Sequence, residues 1–169
     1  LPTNLTTLCL NGNNIKWTYN GALPINLTYL KLMSYNIYWT YVGELPTNLT
    51  TLCLNGNNIK WTYVGALPSA LTYCNLWYDG IHWTYEGAMP NGLTYLRLEG
   101  FNINWTYEGA MPNGLTSLYL SGANIHWTYT SWNFANNFRY YAIYAIYVIG
   151  SLHTRENIIS VLNKGAQVT

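Results

Sequence analysis

The groups in this chain that could carry out chemistry are few and regularly placed: three histidines, three cysteines and six carboxylates in 169 residues. His82 and His126 recur in the same context, IHWTY, two repeats apart, and no third ligand or carboxylate pattern converges on them. A protein zinc site needs three or four ligands around the ion, so both histidines are expected at the surface and no metal is expected. Asp79 is the sole aspartate, and no serine has a histidine and an acid at a triad spacing. Glu86 and Glu108 lie one repeat apart, a placement expected of solvated carboxylates rather than of an acid and base pair. Cys9 and Cys53 hold the same position in two copies of a repeat, too far apart to bridge, and Cys74 replaces a leucine. With no Gly-rich phosphate loop either, the chain is expected to be no enzyme and to need no cofactor.

What remains is aromatic and polar chemistry, which suits recognition. Tryptophan recurs at Trp17, Trp39, Trp61, Trp83, Trp105 and Trp127, every 22 residues, each followed by Thr and then Tyr. A constant period of this length marks a solenoid, in which one small unit buries its apolar side against copies of itself. The units open at Leu1, Leu23, Leu45, Leu67, Met89 and Met111, each followed by Pro, on a framework LPxxLTxLxLxxxNIxWTYxGx. Six repeats fill residues 1–130, and residues 131–169 form a C-terminal capping segment.

Within a unit, Leu5, Leu8 and Leu10 make an LxxLxL pattern that ends with the period of two of a strand. Stacked copies predict a parallel sheet about 25 to 30 Å long. In IKWTY the apolar positions alternate again, which puts Ile15, Trp17 and Tyr19 on an inward face and Lys16 and Thr18 outward. The aromatic columns are therefore read mainly as core packing. Asn14, Asn36, Asn58, Asn102 and Asn124, with Gly80 the exception, are expected to form a structural ladder bonded to backbone groups that lack strand partners. Gly21, Gly43, Gly65, Gly87 and Gly109 precede each Leu-Pro or Met-Pro corner, where a sharp bend favours glycine.

LTTLCLNGNNI and its copies resemble the leucine-rich repeat, and the Pro-first, 22-residue form with Phe101, Asn102 and Ile103 is similar to its FNIP-type variant. The resemblance covers about three quarters of the chain. It implies a leucine-rich-repeat-like solenoid with a parallel β-sheet and little helix. It also implies a non-enzymatic recognition module, as for many members.

In the C-terminal segment, Thr154 to Lys164 is predicted to be helical, with Thr154 as N-cap and Gly165 as terminator. Ala166 to Val168 is predicted to be a short strand, and Ile143 to Ile149 reads as strand in preference to buried helix. Together they predict a strand-helix-strand cap.

A binding site should vary from coil to coil, so the variable outward columns of the first strand are the ones to read. They run Thr7, Tyr29, Thr51, Tyr73, Tyr95, Ser117 and Cys9, Lys31, Cys53, Asn75, Arg97, Tyr119. With Met33 and Trp77 at strand ends they make a concave surface, most aromatic and polar over the fourth to sixth repeats. Tyr73, Asn75, Trp77, Tyr95, Arg97 and Tyr119 are the candidate ligand-binding residues, because Tyr, Trp and Arg dominate binding hot spots.

Charge excludes several partners. Seven basic and six acidic residues leave a net charge of +1, with no footprint for nucleic acid and no polybasic membrane patch. Only 8% of residues are charged, against about 25% in ordinary soluble domains, which fits an extracellular or cell-surface protein. No run of 18 apolar residues predicts membrane insertion. Sequons at Asn4, Asn26, Asn48 and Asn104 are possible glycosylation sites, although NLT also falls out of the repeat framework. Leu1 falls in phase with the repeat, so the first strand is expected to offer an open edge to another chain. The expected function is adhesion or recognition of a protein or glycan, with filament-forming self-association as the alternative. Two threonine columns, beginning at Thr6 and Thr18, raise a third reading, binding to an ordered lattice.

Overall fold

A computed structural model describes residues 1–13, 15–77, 81–85, 88–100, 103–109, 112–121, 125–129, 139–144 and 167–168. Each repeat contributes two strands. The first set is β1 (Thr7–Asn11), β3 (Tyr29–Met33), β5 (Thr51–Asn55), β7 (Tyr73–Trp77), β9 (Tyr95–Glu99) and β11 (Ser117–Ser121). The second is β2 (Trp17–Tyr19), β4 (Ile37–Val42), β6 (Ile59–Gly65), β8 (Ile81–Tyr85), β10 (Ile103–Gly109) and β12 (Ile125–Tyr129). The first set, followed by β13 (Arg139–Tyr144) and β14 (Gln167–Val168), forms an eight-stranded sheet, and the second set forms a six-stranded sheet. All pairings are parallel. The chain is thus a β-solenoid of two parallel sheets.

This overturns the leucine-rich-repeat and FNIP-type resemblance. That fold alternates strand with helix, whereas no helix occurs among the described residues and the second half of each repeat is itself a strand. The cause is local: Ile, Trp, Thr and Tyr favour the extended chain, and their period of two gives it one buried and one exposed face. The predicted helix at Thr154 to Lys164 lies outside the described residues, as does most of the Ile143 to Ile149 stretch. The short C-terminal strand is present as β14, which pairs with β13.

The core lies between the sheets. Leu30, Leu32, Leu52, Leu54, Cys74, Leu76, Leu96 and Leu98 enter it from the first sheet, and Ile37, Trp39, Ile59, Trp61, Ile81 and Trp83 from the second. Leu27, Leu49, Leu71, Leu93 and Leu115 seal one corner. There the amide of each leucine bonds the carbonyl of the proline three residues earlier, as in Leu49 to Pro46 at 3.0 Å. Proline fixes the turn, and its missing N–H costs no ladder bond at that position.

Beside it, a threonine column ties one coil to the next. The hydroxyl of Thr72 donates to the Thr50 carbonyl at 3.1 Å, and those of Thr28, Thr50, Thr94 and Thr116 make the same bond to the coil before. This bond accounts for the threonine of the NLT motif, whose hydroxyl reaches the same carbonyl as the backbone amides of the next coil. Asn4, Asn26 and Asn48 of the sequons are exposed at this corner.

At the turn between the two strands, the side-chain amide of Asn36 donates to the Asn13 carbonyl at 2.7 Å and that of Asn58 to the Tyr35 carbonyl at 2.5 Å. Asn14, Asn102 and Asn124 lie outside the described residues. At the corner after the second strand, the indole N–H of Trp61 donates to the Gly43 carbonyl and that of Trp83 to the Gly65 carbonyl, both at 3.2 Å. Gly65 has φ +150°, a conformation that side-chain-bearing residues rarely adopt, and a Cβ there would also force the Tyr63 hydroxyl to shift.

The sheets differ in register. On the first, partners are one full repeat apart, as in Tyr29 with Thr51 and Thr51 with Tyr73. On the second they are two residues short of it, as in Trp39 with Ile59 and Thr62 with His82. An even shift preserves which side chains face inward, so the tryptophans remain in the core while the outward columns run obliquely.

Candidate functional site

The candidate residues sit on the outward face of the first sheet, where alternation along β7, β9 and β11 turns every second side chain away from the leucine core. The register places Tyr73 beside Tyr95, Asn75 beside Arg97, Trp77 beside Glu99 and Arg97 beside Tyr119. The rings of Tyr73 and Tyr95 stack with centroids 4.4 Å apart and planes 10° from parallel. Tyr119 continues the cluster diagonally, 5.4 Å from Tyr95 and tilted by 37°. The Arg97 guanidinium lies 4.3 Å from the centre of the Trp77 ring and 5.7 Å from that of Tyr119, so both aromatic systems share one cation.

Glu99 holds this cation in place. Its Oε2 accepts from Arg97 Nε at 2.8 Å and lies 2.6 Å from Nη2, and both side chains are about one quarter exposed. Glu99 is not among the candidate residues above, although Arg97 and Glu99 are two apart on one strand and so share a face. The pairing makes Arg97 a positioned, charge-compensated donor rather than a free cation.

Asn75 differs from the expected exposed contact: it is only 8% exposed. Tyr73 and Trp77 flank it along the strand, and Arg97 on the next strand reaches back over Trp77. Its Oδ1 is buried without a hydrogen-bond partner, an unmet acceptor at the base of the aromatic cluster. Burial, then the neighbouring Tyr73 and Tyr119, push the Tyr95 hydroxyl up to about 12, with Arg97 acting in the opposite direction. This tyrosine stays protonated and able to donate across the ordinary pH range.

Cys53, from the same central column, is also buried rather than exposed, whereas Cys9 is exposed. Burial raises the Cys53 thiol above its ordinary value while nearby Lys31 and Arg97 lower it in part. Cys74 is fully enclosed in the leucine column, and burial pushes its thiol far up. All three cysteines are free thiols.

Elsewhere, Lys60, His82 and the threonines Thr18, Thr40 and Thr62 are exposed on the second sheet, and Lys16 is exposed just before β2. The stagger sets Thr40 beside Lys60 and Thr62 beside His82, so this column makes no straight hydroxyl row. The other threonine column, from Thr28 to Thr116, has spent its hydroxyl protons on the neighbouring coil. A shallow open depression of about 560 Å³ lies at the corner formed by Asn20, Gly21, Ala22, Thr40, Tyr41 and Val42. Its Tyr41 hydroxyl is committed to the Glu44 carbonyl. Among the described residues no three His, Cys, Asp or Glu side chains gather as a metal set, and no helix is long and apolar enough to cross a membrane. Fold and surface together define a parallel β-solenoid carrying an aromatic and cationic cluster on one sheet. No family model, curated protein or solved structure matches the chain.

Proposed function

We propose that this chain is a non-enzymatic recognition or adhesion module, acting outside the cell or at its surface, that binds a protein or glycan through the outward face of its first sheet. The observation that supports this reading is the cluster of Tyr73, Trp77, Tyr95, Arg97 and Tyr119, half-buried and mutually packed, with Glu99 fixing the cation. A surface whose rings and guanidinium are already ordered loses little side-chain entropy on binding, and it combines apolar area with directed donors. Alanine at Tyr73, Trp77 and Arg97 together should abolish binding to a partner captured on the native chain while leaving the circular dichroism spectrum unchanged. Binding that persists in this variant would refute the reading.

Self-association is the second reading. β1 and β2 are outer strands of their sheets. In the same coil Leu10, Ile15 and Trp17 are only partly buried, where their counterparts Leu32, Ile37 and Trp39 are fully so. Lys and Pro placed in β1 should then reduce association in sedimentation, and an unchanged profile would remove this reading.

A further inference from the structure

The column Thr7, Tyr29, Thr51, Tyr73, Tyr95, Ser117 contains a gap. Where two tyrosines are adjacent, at Tyr73 and Tyr95, the rings stand on edge and stack face to face along the solenoid. Tyr73 therefore gives one face to Tyr95 and turns the other toward β5, where Thr51 stands in register. Beyond Thr51, also in register, comes Tyr29. Tyr29 and Tyr73 thus flank a short side chain in one column, two strand spacings or about 9.6 Å apart.

That width is selective. A flat ring between two aromatic faces would hold them about 7 to 8 Å apart, so a planar ligand would be loose, while a puckered ring clad in C–H bonds fills the space. An extended peptide is disfavoured for another reason: β3, β5 and β7 are each paired on both sides. No backbone edge is open for strand addition on this face.

Charge narrows the class further. Lys31, two residues along β3 from Tyr29, is half-buried, and no carboxylate pairs with it among the described residues. Its field reaches the floor of the sheet, where it lowers the Cys53 thiol against the effect of burial. Arg97, by contrast, is neutralised by Glu99.

We infer that the slot formed by Tyr29, Thr51 and Tyr73 is a subsite for one pyranose ring of an acidic glycan, with a uronate carboxylate directed at Lys31. This rests on the recognition reading above and assigns its ligand class. The sugar stacks its C–H faces on both tyrosines, and Thr51 offers a hydroxyl at the base.

The test compares hexamers of β-1,4-linked mannuronate and mannose, which differ only at the C6 carboxylate, by titration calorimetry on the whole chain at low salt. Thr51→Tyr closes the slot with a ring that the column already accepts at three neighbouring coils, so the fold should survive, as checked by circular dichroism. If that variant fails to fold, Tyr29→Ala and Tyr73→Ala open the slot instead. The expected result is a mannuronate preference of about fivefold, the upper end for an exposed ion pair. Lys31→Gln should remove that preference, and Thr51→Tyr should remove binding of both hexamers.

Equal affinity for the two hexamers in the native chain would overturn the acidic assignment. Binding that survives Thr51→Tyr but is lost in Trp77→Ala would overturn the slot while leaving the recognition face intact. Binding that survives both variants would overturn the slot and the face together. A native chain that binds neither hexamer would overturn the glycan assignment alone, because the alanine test on a captured partner judges the face separately.

Discussion

Trp39 and Trp61 hold the same position in successive coils, yet their indole N–H groups differ. Both side chains are fully buried, and each stacks on the tyrosine two residues later, with centroids 5.4 and 5.6 Å apart. Trp61 Nε1 donates to the Gly43 carbonyl at 3.2 Å, whereas Trp39 Nε1 is buried with no partner. Replacing either by Phe removes the same ring atoms, so the transfer and cavity costs nearly cancel between the two variants. What remains is polar. Trp61→Phe breaks a bond with a net value of about 1 kcal/mol, while Trp39→Phe removes an unmet donor that costs about 1 to 3 kcal/mol. Trp61→Phe should therefore be more destabilising than Trp39→Phe by about 2 to 4 kcal/mol. Equilibrium urea unfolding measures the difference from the midpoints, provided that both variants share one slope. Equal losses, or a larger loss at Trp39, would refute the assignment of the indole bonds and with it the account of how Trp61 and Trp83 lock each coil to the preceding corner.

Three further outcomes follow from the same structure. Thr72→Val keeps the shape but loses the hydroxyl bond to Thr50, and should lower stability by about 0.5 to 1.5 kcal/mol in the same urea assay. In the native chain Cys9 should react with a thiol reagent such as Ellman's, whereas Cys53 and Cys74 should react only after unfolding, because both are buried with raised thiols; three equivalents released from the folded protein would contradict this. For Tyr95, the folded hydroxyl titrates above its ordinary value, near 12 instead of 10. Its contribution to stability is present below the unfolded value and is lost as pH rises through the folded one. The unfolding midpoint should fall more steeply over this interval in the native chain than in Tyr95→Phe, and parallel curves would rule the effect out.

Much of the fold is legible in the residues themselves. The 22-residue period, the inward Leu columns and the alternation of Ile, Trp and Tyr in the second half all correspond to observed strands and buried side chains. What misleads is the resemblance carried by LxxLxL and the Asn that follows it. That pattern describes one strand and one turn, and it holds no information about the rest of the coil. The IxWTY segment, read on its own alternation, points to the strand that the structure contains. The two-residue stagger of the second sheet is invisible in a sequence whose period is constant, because any even shift satisfies the same inward pattern. At the candidate site, the register of Tyr73, Tyr95 and Arg97 follows directly from the repeat. The burial of Asn75 and Cys53 does not, since the alternation along the strand places both on the outward face. The Arg97 and Glu99 pair was legible in the spacing of two along β9.

The central claim is that the second half of each repeat is a strand of a second parallel sheet, offset by two residues. Cysteine trapping across the second sheet tests it most directly. In a chain carrying Cys9→Ser, Cys53→Ser and Cys74→Leu, a Thr62→Cys and His82→Cys pair occupies registered neighbours on β6 and β8. A Thr62→Cys and Thr84→Cys pair, one full repeat apart, is displaced along the strand by about 6.6 Å, which puts it beyond the usual Cα separation of a disulfide. The account predicts rapid oxidation of the first pair and none of the second. Bridging of the second pair and not the first, or of neither, would contradict the two-sheet solenoid and its register.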